Sequence, residues 1–121
     1  MSAKGRHITL DYTGFTGEGE WMLAVLRGAI SRSNAREVHA HVAQFDGIES
    51  PNGFAAIVLI DESHVSAHCY ADEGVLAVDC FTCGGIDPAG IVDDIHGQLT
   101  DAIPTLCLVQ RTELDRFVGD E

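Results

Sequence analysis

Positively charged residues are scarce in this sequence of 121 residues. Seven Lys and Arg stand against nineteen Asp and Glu, which gives a formal net charge of −12, and the only lysine is Lys4. Proteins that bind nucleic acid or an anionic membrane surface need clustered cations, so we expect neither partner. One lysine near the start of the chain is also a poor candidate for a pyridoxal Schiff base, which needs a lysine fixed in a pocket.

Long hydrophobic runs are missing as well. No stretch approaches the ~20 apolar residues of a membrane span, and residues 1–7 have no hydrophobic signal core, so we expect a cytoplasmic protein. The four cysteines are then expected to be buried or reactive thiols rather than disulfides. With 45% hydrophobic residues, the chain can form one domain with its own core.

Hydrophobic periodicity predicts six strands and two helices. Alternation or short apolar runs mark strands over residues 7–13, 37–45, 54–60, 64–70, 75–81 and 105–110. The run over 54–60 is continuous, as in a strand covered on both faces. A polar tail follows the last strand.

The two helices are marked by apolar residues at helical spacing. The first covers residues 21–33, with a core stripe of Met22, Val25, Leu26, Ala29 and Ile30. The second begins at Asp87 and Pro88 and ends before Pro104, with a stripe of Ile91, Ile95, Leu99 and Ala102. The order β-α-β-β-β-β-α-β favours an α+β two-layer sandwich, a mostly antiparallel sheet with both helices on one face. The other face would need a cover, so we expect a dimer.

Residues 61–85 hold most of the reactive side chains, and three kinds of site fit them. The first is a metal site, because His64, His68, Cys80 and Cys83 are residue types that suit zinc. It requires both cysteines on one face, yet residues 80 and 83 of an extended strand point to opposite faces. We therefore expect no metal centre.

The other two kinds of site use a nucleophile. Ser63 or Cys83 could be activated by a histidine, although no Gly-x-Ser-x-Gly elbow is present. Alternatively, the Ser63 hydroxyl could attack the carbonyl carbon of Glu62 and turn the amide into an ester. Elimination would release the upstream chain, and the remaining dehydroalanine would hydrolyse to a pyruvoyl group. This chemistry needs a strained turn before Ser63 and a nearby proton acceptor, for which His68 is the candidate.

Several motifs occur together at specific spacings. They are DESHVSAH over residues 61–68, VDCFTCG over 78–84, Asp87 with Pro88, GRH over 5–7 and PNG over 51–53. In combination they resemble the prokaryotic S-adenosylmethionine decarboxylase proenzymes, whose first strand and Pro-x-Gly turn are similar to the last two. The resemblance extends from about residue 5 to residue 88.

The resemblance implies a self-processing, pyruvoyl-dependent decarboxylase of polyamine biosynthesis that acts on a small amine substrate, S-adenosylmethionine. Cleavage between Glu62 and Ser63 would give a β chain of residues 1–62 and an α chain of residues 63–121, with Ser63 converted to the covalent pyruvoyl cofactor. His68 would accept a proton during processing, and Cys83 would reprotonate the substrate carbon after CO2 leaves. The resemblance also implies a two-layer sandwich that forms a homodimer of processed protomers, with active sites near the interface.

The sequence departs from the family where the substrate should be held. The family commonly has an aromatic residue two positions before the Pro-x-Gly turn, where it stacks on adenine, and Glu49 occupies that position here. A serine usual two residues after the turn is Ala55, and the family's Thr-Trp-Pro-Glu is replaced by CYAD over residues 69–72.

These departures leave the substrate open. We expect Glu49, Tyr70 and Asp72 to contact it, and acidic side chains would favour a cationic substrate, as in a pyruvoyl-dependent arginine or ornithine decarboxylase. Alternatively, Glu49 lies in a solvated loop and Phe45 stacks on adenine instead. A further hypothesis is an uncleaved, non-enzymatic homologue that binds a small cation.

Overall fold

Eight secondary-structure elements make up the protein, in a computed structural model that describes residues 4–119. In chain order they are β1 (Gly5–Thr13), α1 (Gly19–Ser31), β2 (His39–Phe45), β3 (Gly53–Ile60), β4 (Ser63–Tyr70), β5 (Val75–Cys83), α2 (Pro88–Ala102) and β6 (Cys107–Arg116). The predicted order of strands and helices is therefore confirmed.

The six strands form one antiparallel sheet with the spatial order β2-β3-β4-β5-β1-β6. Strands β2 to β5 are consecutive neighbours, whereas β1 lies between β5 and β6. Helix α1 packs against β2 and β3, helix α2 packs against β5 and β1, and the two helices contact each other. The predicted α+β two-layer sandwich with both helices on one face is confirmed.

The core lies between the sheet and the helices. All five residues of the predicted α1 stripe are buried. In α2, Ile91, Ile95 and Leu99 are buried as predicted, but Ala102 is exposed because the helix ends there and the following Ile103 enters the core. Among the described residues, neither helix is long and apolar enough to span a bilayer.

The connection from β5 to α2 holds the end of β5 in place. The Thr82 hydroxyl donates a hydrogen bond to the Ile86 carbonyl at 2.8 Å. The Asp87 carboxylate accepts one from the Ala89 N–H at 3.0 Å, as predicted for an N-cap. These two contacts fix the turn that follows Cys83.

The opposite face of the sheet is open. On β3, Ile57 and Leu59 are 36% and 39% exposed, whereas Phe54 and Val58 on the other side of the strand are buried. The expectation that this strand is covered on both faces is wrong for a single copy of the chain, because only one of its two apolar sides meets a helix. The open face also carries polar side chains of β1, β4 and β5: His7, His64, Ser66, His68 and Asp79.

The last strand is longer than predicted. Residues 105–110 were expected as a strand with a polar tail, but β6 runs to Arg116 and pairs with β1 over its whole length. Periodicity does not predict the polar half of this strand, because β6 is an edge strand exposed along most of its length and its sequence lacks the apolar alternation of a half-buried strand.

Candidate active site

The connection between β3 and β4 is a two-residue turn immediately before Ser63. Ile60 pairs with Ser63, so Asp61 and Glu62 form the turn. Asp61 has φ +55°, in the left-handed region that costs a non-glycine residue on the order of 1 kcal/mol and that Asp tolerates better than most. Its carboxylate accepts a hydrogen bond from Arg36 at 2.5 Å. A turn that holds one residue in the left-handed region therefore stands directly before Ser63.

The Ser63 side chain is buried and held by the neighbouring strand. Ser63 is 5% exposed, and its Oγ accepts a hydrogen bond from the Cys83 backbone N–H at 3.0 Å. The two residues are neighbours because the β4–β5 register pairs His64 with Phe81. A donor aimed at a hydroxyl oxygen stabilises negative charge that develops on it, so this contact favours Ser63 as a nucleophile.

The Asp79 carboxylate on the open face binds His64, the residue directly after Ser63. Asp79 accepts hydrogen bonds from His7 Nε2 at 2.5 Å, from His64 Nε2 at 3.0 Å and from the Ser66 hydroxyl. Burial acts to raise the pKa of Asp79, but the hydrogen bonds from His64, Ser66 and His7 outweigh it and lower the pKa to about 2. Asp79 is therefore ionised at any ordinary pH.

The histidine on β1 links this carboxylate to an arginine on β6. Arg116 donates a hydrogen bond to His7 Nδ1 at 2.7 Å. A guanidinium can only donate, so Nδ1 must be the unprotonated nitrogen and Nε2 carries the hydrogen that Asp79 accepts. This contact disfavours a metal ion bound by His7, Asp79 and His64. A metal on Nε2 would displace the only hydrogen on the His7 ring, because Nδ1 already accepts from Arg116.

A cavity of about 430 Å³ opens onto Ser63 from the open face. Nine residues line it: His7, Leu59, Asp61, Glu62, Ser63, His64, Phe81, Arg116 and Phe117. Both residues of the predicted scissile bond, Glu62 and Ser63, are among them.

His68 lies away from this cavity. It is five residues along β4 from Ser63, about 16 Å at the rise of an extended strand, and its side chain points to the open face, whereas that of Ser63 points towards the helices. It lines instead a cavity of about 710 Å³ that also includes Asp11, Phe45, Tyr70 and Val109. Within one copy of the chain, the structure therefore brings Ser63 together with Cys83 and Glu62 but not with His68.

The three residues expected to contact substrate lie in different places. Tyr70 lines the larger cavity together with Phe45. Glu49 is exposed in the loop after β2 and lines a shallower depression with Phe45, and Asp72 lies in the β4–β5 turn, where it accepts a 3.5 Å hydrogen bond from Asn52. Glu49 is therefore solvated, whereas Phe45 and Tyr70 line one cavity.

The zinc ligand pairs considered from the sequence do not meet. Cys80 is fully buried in the helix-facing core, whereas His64 and His68 lie on the open face. The sequence argument that residues 80 and 83 point to opposite faces is confirmed by the alternating burial of β5.

Sequence reasoning missed His7, Asp79 and Arg116. One signal was available, namely a carboxylate at position 79 between the apolar Val78 and Cys80 in a predicted strand, where a charge requires partners. The partners themselves come from β1 and β6, and nothing in the local sequence indicates that these strands meet.

Together, the fold and the site define a class of protein: a two-layer α+β sandwich with a buried serine held directly after a tight turn. Comparisons with known proteins agree with this class. A family model described as S-adenosylmethionine decarboxylase matches residues 6–112. The chain belongs to this family, whose members carry a covalent pyruvoyl group formed from a serine by autocatalytic cleavage.

Individual relatives cover most of the chain. An S-adenosylmethionine decarboxylase proenzyme of Symbiobacterium thermophilum is 35% identical over an alignment of 103 residues, which covers 81% of this chain and 75% of that protein. One of Thermoplasma volcanium is 30% identical over 122 residues, covering 97% of this chain and 88% of the relative. The crystal structure of the adenosylmethionine decarboxylase from Aquifex aeolicus superimposes with a TM-score of 0.78 at 26% identity, covering 100% of this chain and 97% of that one.

Proposed function

We propose that this chain is a self-processing S-adenosylmethionine decarboxylase of polyamine biosynthesis, located in the cytoplasm. In this proposal the bond between Glu62 and Ser63 is cleaved, giving a β chain of residues 1–62 and an α chain of residues 63–121. The observation that carries the proposal is the strained Asp61 turn placed directly before a buried serine whose Oγ accepts the Cys83 N–H.

Processing begins when Ser63 Oγ attacks the carbonyl carbon of Glu62, so that the amide becomes an ester. The Cys83 N–H stabilises the developing charge on Oγ, and cleavage releases the strain of the turn. Removal of the Ser63 Cα proton then breaks the Cβ–Oγ bond of Ser63 and releases the backbone carboxylate of Glu62. This carboxylate is the new C-terminus of the β chain, at residue 62. The dehydroalanine left on the α chain hydrolyses to the pyruvoyl group with loss of ammonia.

The residues around Ser63 fit a pyruvoyl group at that position. Such a group would supply an electrophilic carbonyl for the substrate amine and an electron sink for decarboxylation. Cys83 is the neighbour of Ser63 across β4 and β5 and is half-buried, which supports its thiol as the group that returns a proton to the substrate carbon. Phe45 and Tyr70 offer rings for a purine in the larger cavity.

We also propose that two copies pack through their open faces and that His68 reaches Ser63 of the partner. Support comes from the separation of these residues within one chain, and from the exposed apolar side chains Ile57, Leu59 and Leu114 beside the polar cluster on that face. Covering this face would bury the apolar side chains and bring the large cavity of one copy against the Ser63 cavity of the other.

Intact-mass measurement of the purified protein tests the proposal. The wild-type protein should give two fragments divided after residue 62, and Ser63→Ala should give one uncut chain. A wild-type protein that stays uncut would instead support the non-enzymatic homologue.

Carbon dioxide release separates the possible substrates. The processed protein should release CO2 from S-adenosylmethionine and not from arginine or ornithine, each tested under the same conditions. Release from arginine or ornithine alone would contradict the proposed substrate while leaving the self-processing chemistry intact.

A further inference from the structure

One arginine has an unusual set of partners. Among the residues that the structure describes, five of the six arginines bind carboxylates: Arg6, Arg27, Arg32, Arg36 and Arg111. Arg116 instead donates to the neutral His7 Nδ1 at 2.7 Å and lies over the Phe81 ring, 5.6 Å from its centroid. Neither His7 nor Phe81 carries a negative charge to pair with the Arg116 guanidinium. In a chain with a net charge of −12, this guanidinium is therefore available to an anionic ligand.

The position of this guanidinium is built by several strands. Asp79 on β5 holds the hydrogen on His7 Nε2, and the opposite ring nitrogen is thereby left to accept from Arg116 on β6. Phe81 supports the guanidinium through its ring face. His7 and Phe81 use only part of the five-donor fork, so the remaining N–H groups can bind a carboxylate.

Arg116 lines the same cavity as Ser63, Asp61 and Glu62. We propose that Arg116 binds the α-carboxylate of the amino-acid substrate, a role that rests on the proposed function at Ser63. The substrate's amine and carboxylate are attached to one carbon, so an amine at the Ser63 position brings the carboxylate into this cavity. Asp61 and Glu62 would repel it there, and Arg116 is the cation lining the cavity that offsets them.

This contact is lost when the reaction is complete. The carboxylate leaves as CO2, so the amine product no longer has the group that Arg116 holds, and its release is favoured. The contact thus contributes to selection of substrate over product and is expected to act mainly on KM.

The test compares S-adenosylmethionine with its carboxyl methyl ester, which has the same amine and adenosyl group but no carboxylate charge. Arg116→Ala should raise the KM for S-adenosylmethionine about 10- to 100-fold, as expected for loss of a charged hydrogen-bond partner. Its dissociation constant for the ester, measured by calorimetry, should stay within about twofold. Arg116→Lys should lie between Arg116→Ala and wild type for the substrate, because a point charge replaces the fork.

Arg27→Ala is the matched control, since Arg27 is bound to Glu37 away from the sheet's open face. It should change neither the KM for the substrate nor the dissociation constant for the ester. His7→Ala tests the positioning role of His7: it should raise the ratio of substrate KM to ester dissociation constant, by less than Arg116→Ala does. An unchanged ratio in His7→Ala would remove that role.

Processing is followed by intact mass in every variant, which keeps the two proposals distinct. If the wild type is active and Arg116→Ala weakens the binding of substrate and ester equally, the carboxylate-binding role of Arg116 is overturned but the proposed function is not. The same holds if Arg116→Ala and Arg116→Lys both remain uncut, because Arg116 would then act in cleavage. A wild type that neither processes nor releases CO2 would overturn the proposed function, and the carboxylate contact with it.

Discussion

Ser63 and His68 lie on one strand, β4, but on opposite faces of the sheet and five residues apart. An extended strand cannot fold back to bring such a pair together. If His68 accepts a proton from the chemistry at Ser63, it must do so in a second copy of the chain.

Complementation between two inactive variants tests this arrangement. Ser63→Ala and His68→Ala should each lack decarboxylase activity when expressed alone. Co-expressed, they should recover activity at about a quarter of the wild-type sites, because mixed dimers hold one site with both native residues. Co-expression of Ser63→Ala with Cys83→Ala is the control, since these neighbours belong to one site. Equal, negligible activity in both mixtures would contradict a role for His68 across the interface.

Relief of strain at Asp61 should slow processing. Asp61→Gly accepts φ +55° without cost. In a Ser63→Ala background, which keeps the chain in one piece, we expect the free energy of unfolding to rise by about 0.5–1 kcal/mol. With Ser63 present, mass spectrometry should show slower appearance of the two fragments. Arg36→Ala removes the ion pair to Asp61 but leaves the backbone unchanged, so it should process at the wild-type rate; equal slowing in both variants would assign the effect to the ion pair.

Cys83 should separate processing from decarboxylation. Its contact with Ser63 uses the backbone N–H, which alanine retains. Cys83→Ala should therefore cleave normally, while its rate of CO2 release falls about 100-fold through loss of the proton donor. Time courses of both reactions on one preparation provide the measurement, and normal decarboxylation would remove the thiol from the mechanism.

Asp79 should make the free energy of unfolding depend on pH in the acidic range. Its folded-state pKa of about 2 lies below the ordinary value of 3.8, so its ionisation stabilises the fold above that ordinary value and the stabilisation is lost as pH falls towards 2. The difference in unfolding free energy between Ser63→Ala and Ser63→Ala with Asp79→Asn should shrink by about 2 kcal/mol over this range. Denaturant unfolding at a series of pH values measures it. A difference that stays constant would show that the hydrogen bonds do not depend on the charge.

Phe45 rather than Glu49 should determine substrate affinity. Phe45 lines the larger cavity with His68 and Tyr70, whereas Glu49 is exposed outside it. Phe45→Ala should raise the KM for S-adenosylmethionine about tenfold, the size of one stacking contact, and Glu49→Gln should leave it within about twofold. The opposite order of effects would revive the acidic pocket and a cationic substrate.

Part of the site was predictable from sequence because strands alternate. The period of two correctly put His64, Ser66 and His68 on one face of β4, and it separated Cys80 from Cys83. Periodicity ends the edge strand β6 too early and puts Ala102 in the core, because propensity and periodicity carry little information at exposed ends.

The amino-acid sequence alone determined three features: which side chains of a strand share a face, which residues of each helix form its apolar stripe, and the position of Ser63 directly after Glu62. The tertiary structure decided which residues meet. The register of β4 and β5 brings the Cys83 N–H to Ser63 across twenty residues, and the insertion of β1 between β5 and β6 joins His7 to Asp79 and Arg116. Such contacts depend on strand order and register, which are set by how the whole sheet buries its apolar face against the helices and not by any local pattern.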